Sequence, residues 1–157
     1  MQTFPRSMKL FREAMVTWLG DKLWVKHLLL VKLGIPAEKV LFSEHHLSHA
    51  ASAFFCSPYE EAAVLTVDGV GEWTTAALGV GKGTELKLIK EIRFPHSLGL
   101  LYSAFTAFLG FEVNEGEYKV MGMAPFGRPL YVDKVYEVIN VDEDGGFELD
   151  MDYFSFH

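Results

Sequence analysis

Apolar residues recur at three- and four-residue steps through the first 33 residues, and this period predicts helix. One face of the predicted helix is formed by Met8, Phe11, Met15, Trp18 and Leu19. We expect helical structure from about Arg6 to Leu33, divided near Gly20–Asp21 and stopped by Gly34. The opposite face is basic and would suit a membrane surface, but a solvated face above an ordinary core is the favoured interpretation.

The pattern changes after a turn at Pro36 to short apolar runs. Val40–Phe42 predicts a short strand that leads into a helix over 45–56, which Ser57–Pro58 ends. Three strands in an antiparallel meander are expected next, the first of them fully buried. They are predicted at Glu60–Trp73, Thr74–Val80 and Leu86–Phe94.

A second apolar helix is predicted from Leu98 to Leu109, with Ser97 as its N-cap. Because this segment is apolar almost all round, we expect it to be buried. Further along, the pattern predicts an amphipathic helix over Tyr131–Ile139 and a strand over Phe147–Met151.

Composition limits the class of protein. A chain of 157 residues that is 50% apolar and 22% charged can bury one sizeable core. Its one cysteine, Cys56, excludes an internal disulfide and a thiolate cluster, so a metal would rest on nitrogen and oxygen ligands. With no bilayer-length apolar run and no signal-peptide pattern, the expected location is cytoplasmic, away from membranes. The net charge of −7 argues against a general nucleic-acid surface, although the basic N-terminal segment could still contact phosphate or a partner.

Three of the six histidines fall within five positions. His45 and His49 are four residues apart in the predicted helix and therefore share a face, where both could bind one ion, whereas His46 points elsewhere. The next apolar run ends in Asp68, which could supply an oxygen ligand. An accidental histidine pair, in a helix merely capped by Ser43 or Glu44, is the alternative.

The segment from Asn114 to Gly127 holds acids and a lysine, including Glu117 and Lys119, among glycines. A site loop or short helix and a polar surface loop are equally compatible with it. A Walker-type loop, a Rossmann fingerprint and a Gly-x-Ser-x-Gly elbow are absent from the sequence, so hydride transfer and serine hydrolysis lose support. A simple two-histidine hydrolase also loses support, since the glutamate of a His-Glu-x-x-His motif is missing.

Four segments closely resemble the O-carbamoyltransferases of nodulation-factor and antibiotic biosynthesis. They are Glu44–Phe54, Thr66–Trp73, Phe94–Tyr102 and Gly116–Pro125. The resemblance runs in order from about residue 40 to the end. That family's catalytic domain is similar to the tRNA threonylcarbamoyl transferase and to actin-like, sugar-kinase- and Hsp70-like ATPases. The resemblance therefore implies an α/β fold with a mixed sheet flanked by helices, in which a helical segment (1–39) precedes an actin-like lobe (40–157).

The resemblance also implies a chemistry. Carbamoyl phosphate would donate a carbamoyl group, through carbamoyl-adenylate made from ATP, to a hydroxyl of a small molecule or glycan. His45, His49 and Asp68 would be the catalytic metal ligands, for Fe(II) in the first place, with Mn(II) and Zn(II) as alternatives. Nucleotide or substrate would be bound at Gly69, Gly71, Glu117 and Lys119.

Several features of that family are missing from this sequence: an upstream phosphate-binding turn, a downstream aspartate ligand and an adenylate-forming domain. We therefore expect a partial catalytic domain that does not complete carbamoyl transfer alone. Its helix from Leu98 to Leu109 should then expose apolar surface and favour self-association. The alternative from another class is a non-catalytic actin-like piece that binds nucleotide or a partner chain.

Overall fold

The computed structural model describes residues 8–20 and 22–154, which fall into two compact units. One unit contains the described residues up to Phe42 together with 151–154, and the other is Ser43–Asp150. Within the described residues, no helix has the length and apolar composition that crossing a bilayer requires.

The first unit contains helices α1 (Met8–Gly20) and α2 (Val25–Leu33), joined through a 3-10 turn. Gly34 ends α2 in the left-handed conformation, and its N–H donates to the Leu30 carbonyl at 2.9 Å. The predicted helices and their stop at Gly34 are thus confirmed, while Arg6 and Asp21 lie outside the described residues. The strand predicted at Val40–Phe42 is wrong, because within the described part of the chain this segment pairs with no strand.

The second unit is built on a three-stranded antiparallel sheet in the order β1–β2–β3, which confirms the predicted meander. Its strands are β1 (Glu61–Gly71), β2 (Thr74–Lys82) and β3 (Glu85–Arg93). Helix α3 (His45–Phe54) packs on one face through Ala50 and Phe54.

Strand β1 alternates between buried and exposed positions, so the prediction that it is fully buried is wrong. Val64 and Thr66 face the α3 side, whereas Leu65 on the opposite face is 68% exposed. The reason is that α3 covers only one face of the sheet. The chain has an α/β structure, but the described sheet is antiparallel rather than mixed.

Helix α4 (Leu98–Phe108) follows β3, and the Ser97 hydroxyl accepts the Leu100 N–H at 3.0 Å, which confirms the predicted cap. The prediction that α4 is buried is wrong: Leu101 and Thr106 are buried, but Phe108 is 83% exposed. The exposed apolar surface expected on this helix is therefore present.

The remaining elements are α5 (Glu117–Met123), α6 (Val132–Val138), β4 (Ile139–Val141) and β5 (Phe147–Leu149). The helix and the strand predicted here are confirmed apart from their ends: Ile139 begins β4 instead of ending α6, and β5 ends at Leu149 instead of Met151. The β4–β5 hairpin is tied to the sheet region, since the Leu149 N–H donates to His96 Nδ1 at 3.0 Å. Lys90 and Asp144 add an ion pair of 3.2 Å.

Candidate metal centre

The two histidines of the predicted pair lie one turn apart at the start of α3. His45 Nε2 and His49 Nε2 are 3.0 Å apart. Asp68 brings Oδ2 to 2.5 Å from His45 Nε2 and 3.5 Å from His49 Nε2. The structure therefore brings together all three predicted ligands, and their side chains are 36–54% exposed, so an ion can reach them.

The donor set fits a divalent cation. Metal bonds to imidazole nitrogen and carboxylate oxygen are about 2.0–2.2 Å long, which places neighbouring ligand atoms about 3 Å apart. The two separations that involve His49 Nε2, 3.0 Å to His45 and 3.5 Å to Asp68, are close to this spacing, while His45 and Asp68 are in hydrogen-bond contact at 2.5 Å. Two neutral imidazoles and one carboxylate are suitable ligands for Fe(II), Mn(II) or Zn(II).

The pKa of Asp68 lies below its ordinary value of 3.8. The hydrogen bond with His45 is the largest cause; the Gly69 N–H and the charges of His45 and His49 also lower it, and burial opposes them. The carboxylate is consequently ionised at neutral pH, as a metal ligand must be.

A bulge in β1 directs Asp68 toward the histidines. Val67 pairs with Ala76 and Gly71 pairs with Thr74, so three residues of β1 lie opposite one residue of β2. Bulges of this kind change the direction of a side chain beside a site. The Gly69 N–H donates to Oδ1 at 2.6 Å, which leaves Oδ2 to face the imidazoles.

Residues at the start of α4 pack against the backbone of this bulge. The Ser97 hydroxyl donates to the Gly69 carbonyl at 2.6 Å, in addition to capping its own helix. A Cβ on Gly99 would overlap the Asp68–Gly69 backbone, with Gly69 N only 2.6 Å away. Gly99 is therefore a supporting residue that the sequence analysis missed, since only the fold shows which backbone it touches.

Gly71 is required by the site in a way that Gly69 is not. A Cβ on Gly71 would overlap the His45 ring, whereas a Cβ on Gly69 would meet only Leu100 Cδ2, at an ordinary 3.7 Å. Gly71 thus provides room for an imidazole ligand. A role for either glycine in approaching phosphate stays a prediction.

His46 faces away from the cluster. It is buried, and its Nδ1 lies 2.7 Å from Thr66 Oγ1. Its Nε2 lies 2.9 Å from the Thr74 carbonyl, which can only accept, so Nε2 carries the proton. These bonds anchor α3 on the sheet with His45 and His49 directed outward.

Glu117 and Lys119 make their described contacts elsewhere. Glu117 Oε1 accepts the Ser103 hydroxyl at 2.8 Å and the Asn114 N–H at 3.0 Å. Lys119 Nζ lies 5.9 Å from the Phe111 ring centre. None of the contacts described for these two residues reaches the metal-ligand cluster, and their role at nucleotide or substrate stays a prediction.

A cleft of about 360 Å³ opens beside the ligands. It is lined by Ser43, His45, Ser48, His49 and Glu72. Glu72, at the β1–β2 turn, was not singled out from the sequence, because its position across from α3 depends on the tertiary structure.

Comparison with known proteins identifies the family of this chain. The family model described as carbamoyltransferase N-terminus matches residues 1–157, so the similarity extends beyond the expected start near residue 40. The uncharacterized protein sll1178 of Synechocystis is 53% identical over 160 residues, covering 97% of this chain and 26% of that protein. Nodulation protein NolNO of Sinorhizobium fredii is 38% identical over 140 residues, covering 85% of this chain and 20% of that protein.

A third relative is nodulation protein NolO of Bradyrhizobium diazoefficiens, 35% identical over 109 residues, covering 69% of this chain. The chain spans about a quarter or less of the length of these three curated relatives, from 20% to 26%. Since the family model matches the chain from its first residue to its last, the protein belongs to the carbamoyltransferase N-terminus family.

Proposed function

We propose that this chain supplies the metal-binding part of a carbamoyltransferase that transfers a carbamoyl group to a hydroxyl. The observation that supports it most directly is the convergence of His45, His49 and Asp68 in a chain of the carbamoyltransferase N-terminus family. The donor would be carbamoyl phosphate, used through carbamoyl-adenylate, and the acceptor a small molecule or glycan. The location would be cytoplasmic.

In the transfer step, the acceptor oxygen forms a bond to the carbamoyl carbon while that carbon loses its bond to the leaving phosphate or adenylate oxygen. The acceptor proton is released. A divalent ion on His45, His49 and Asp68, with Fe(II) as first choice, would supply Lewis-acid polarisation of the carbonyl and a template for both reactants. The chain's own part is to hold the ligands, through the β1 bulge and the His46 anchor.

Nucleotide binding and the actin-like fold belong to the same proposal. An antiparallel β1–β2–β3 meander followed by α4 is compatible with one lobe of such a fold. Gly69, Gly71, Glu117 and Lys119 would face ATP or carbamoyl-adenylate. Because the chain covers at most about a quarter of the curated relatives, the remaining walls of the cleft would come from sequence found in those longer proteins.

A second candidate function is binding without catalysis, by an actin-like piece that holds a nucleotide or a partner chain. The apolar surface on α4, where Phe108 is 83% exposed, favours it as a surface for another chain. Both functions are compatible with metal binding, so a metal-binding measurement does not distinguish them. Formation of a carbamoylated product does, because only the catalytic function gives it.

Metal binding is tested by thermal unfolding with increasing Mn(II) or Fe(II). A ligand that binds only the folded state, at a hundred times its Kd, stabilises that state by about 2.7 kcal/mol, so the Tm should rise. His45→Ala should abolish the rise, and EDTA should reverse it. Ser52→Ala is the matched control, because Ser52 is exposed on the same helix and the bond described for its hydroxyl is to the His49 carbonyl.

Transfer is tested with carbamoyl phosphate, ATP, Fe(II) and hydroxylated acceptors, using mass spectrometry to detect the carbamoylated product. We expect no product from the 157-residue chain alone and metal-dependent product from a protein of the relatives' length. Robust product from the isolated chain would contradict the partial-domain proposal. A Tm rise that survives His45→Ala would contradict the metal site.

A further inference from the structure

Glu72 has a backbone conformation that its side chain does not favour. Its φ is +63°, in the left-handed region, at the turn between β1 and β2. Glycine adopts this conformation freely, whereas a residue with a Cβ is strained there by about 1 kcal/mol or more. A glycine would therefore suit the turn better, and the presence of a carboxylate there calls for a reason other than backbone geometry.

The Glu72 carboxylate does not support the fold. No hydrogen bond or ion pair is described for it within residues 8–20 and 22–154, whereas Glu61, Glu91 and Glu117 all have partners for their carboxylates. An exposed carboxylate without a partner remains available to a ligand.

The position of Glu72 is next to the metal-ligand cluster. It lines the same cleft as His45 and His49, but its carboxylate is not one of the three groups that converge on the ion position. The cleft volume of about 360 Å³ falls within the range of small-molecule sites, about 300–1,000 Å³. The hydroxyls of Ser43 and Ser48 add further polar groups to its lining.

We propose that Glu72 binds the acceptor, accepting a hydrogen bond from the hydroxyl that is to be carbamoylated. This inference rests on the proposed function, since it places the acceptor across from His45, His49 and Asp68. An ionised carboxylate only accepts hydrogen bonds, so it suits a hydroxyl donor. It repels a phosphate, so the phosphates of a nucleotide would bind away from this wall. The ligand class is a neutral polyhydroxylated molecule such as a sugar.

The test uses paramagnetic broadening of ligand proton signals by Mn(II)-loaded protein. The probes are methyl α-D-glucopyranoside, N-acetylglucosamine and glycerol. Wild type should broaden the signals of at least one probe, and Glu72→Gln should bind that probe about tenfold or more weakly, since a hydrogen bond to a charged group is lost. Glu85→Gln is the matched control, because Glu85 is exposed in β3 at the far end of β2 from the Glu72 turn.

Glu72→Gly provides a second variant that keeps the fold. Relief of the left-handed strain should raise its Tm above that of wild type, while probe binding should fall as in Glu72→Gln. A loss of binding together with a higher Tm cannot come from unfolding. Equal binding by wild type and Glu72→Gln, or no binding of any probe by wild type, would overturn the proposal.

Failure of the proposed function would look different. If Mn(II) does not raise the Tm of wild type, the metal centre fails, and probe binding is then measured without metal by saturation-transfer NMR. Loss of that signal in Glu72→Gln would still support the binding role of Glu72, and an unchanged signal would overturn it.

Discussion

Single atoms at Asp68 and Gly71 decide whether the histidine pair can bind a metal. Asp68 presents Oδ2 to the imidazoles because Oδ1 is held by the Gly69 N–H. Gly71 lacks the Cβ that would overlap the His45 ring. A ligand misplaced by about 1 Å is enough to weaken a site of this kind greatly, so small changes here should have large effects.

Gly71→Ala should therefore reduce or abolish the metal-induced rise in Tm. Its φ is not in the left-handed region, so the strand itself accepts alanine, but the new Cβ displaces the His45 ring. Thermal unfolding with and without Mn(II) measures the effect.

Gly69→Ala is the matched control for this prediction. It lies two residues away, and its Cβ would meet only Leu100 at 3.7 Å, so the metal response should be retained. If Mn(II) raised the Tm of Gly71→Ala as much as that of wild type, the prediction would be contradicted, because the His45 ring could then bind the metal from another position.

Two helices position the site through separate contacts with the sheet region. Helix α3 is anchored by the bonds of buried His46 to Thr66 and Thr74. Helix α4 is docked by Ser97 on the Gly69 carbonyl. Because His46 supports the fold, His46→Ala would damage more than metal binding, and an exposed residue such as Ser52 is the better control.

The stability of the contact between α4 and α5 should depend on pH through the Glu117 carboxylate. The Asn114 N–H and then the Ser103 hydroxyl hold the pKa of Glu117 below its ordinary value of 4.5. The folded state therefore favours the ionised form, and this stabilisation is present above pH 4.5 and is lost as the pH falls through the lower pKa of the folded state.

Glu117→Gln should accordingly lower the Tm at pH 7, and the difference from wild type should shrink as the pH falls below 4.5. Thermal unfolding between pH 3 and pH 7 measures it, at values chosen about one unit apart. Glu115→Gln, two residues earlier and without a described partner for its carboxylate, should show no such difference. A difference in Tm between Glu117→Gln and wild type that stays constant with pH would contradict the charge-based explanation.

At the scale of the whole molecule, apolar surface is exposed along α4 and the segment after it. Large side chains that are more than 40% exposed include Phe105, Phe108, Tyr118, Met121 and Phe126. Monomeric proteins rarely expose a large contiguous apolar patch. The chain spans about a quarter or less of the length of its curated relatives.

We expect the isolated chain to self-associate through this surface. Phe108→Ser should shift the association equilibrium toward monomer while changing the Tm little, because a side chain 83% exposed contributes little to folding. Sedimentation velocity over a range of concentrations measures it. Tyr59→Ser, which alters an exposed aromatic residue before β1, is the control, and a wild-type chain that stays monomeric would contradict the expectation.

The sequence alone determined the elements whose signals are local and long. The spacing of apolar residues predicted α3, the β1–β2–β3 meander and α4 with its Ser97 cap. The four-residue spacing of His45 and His49 predicted their shared face for the same reason, since a helix places such residues together wherever it lies.

Only the tertiary structure decided the features that depend on distant partners. Val40–Phe42 has strand-like residues but no partner strand among the described residues, whereas Ile139 joins a strand because Leu149 lies opposite it. The bulge that directs Asp68, the packing of Gly99 on its backbone and the left-handed Glu72 are likewise set by contacts across the sheet. The physical reason is that pairing and burial join residues 20 or more positions apart, as in the bond between His46 and Thr66, and no local pattern encodes them.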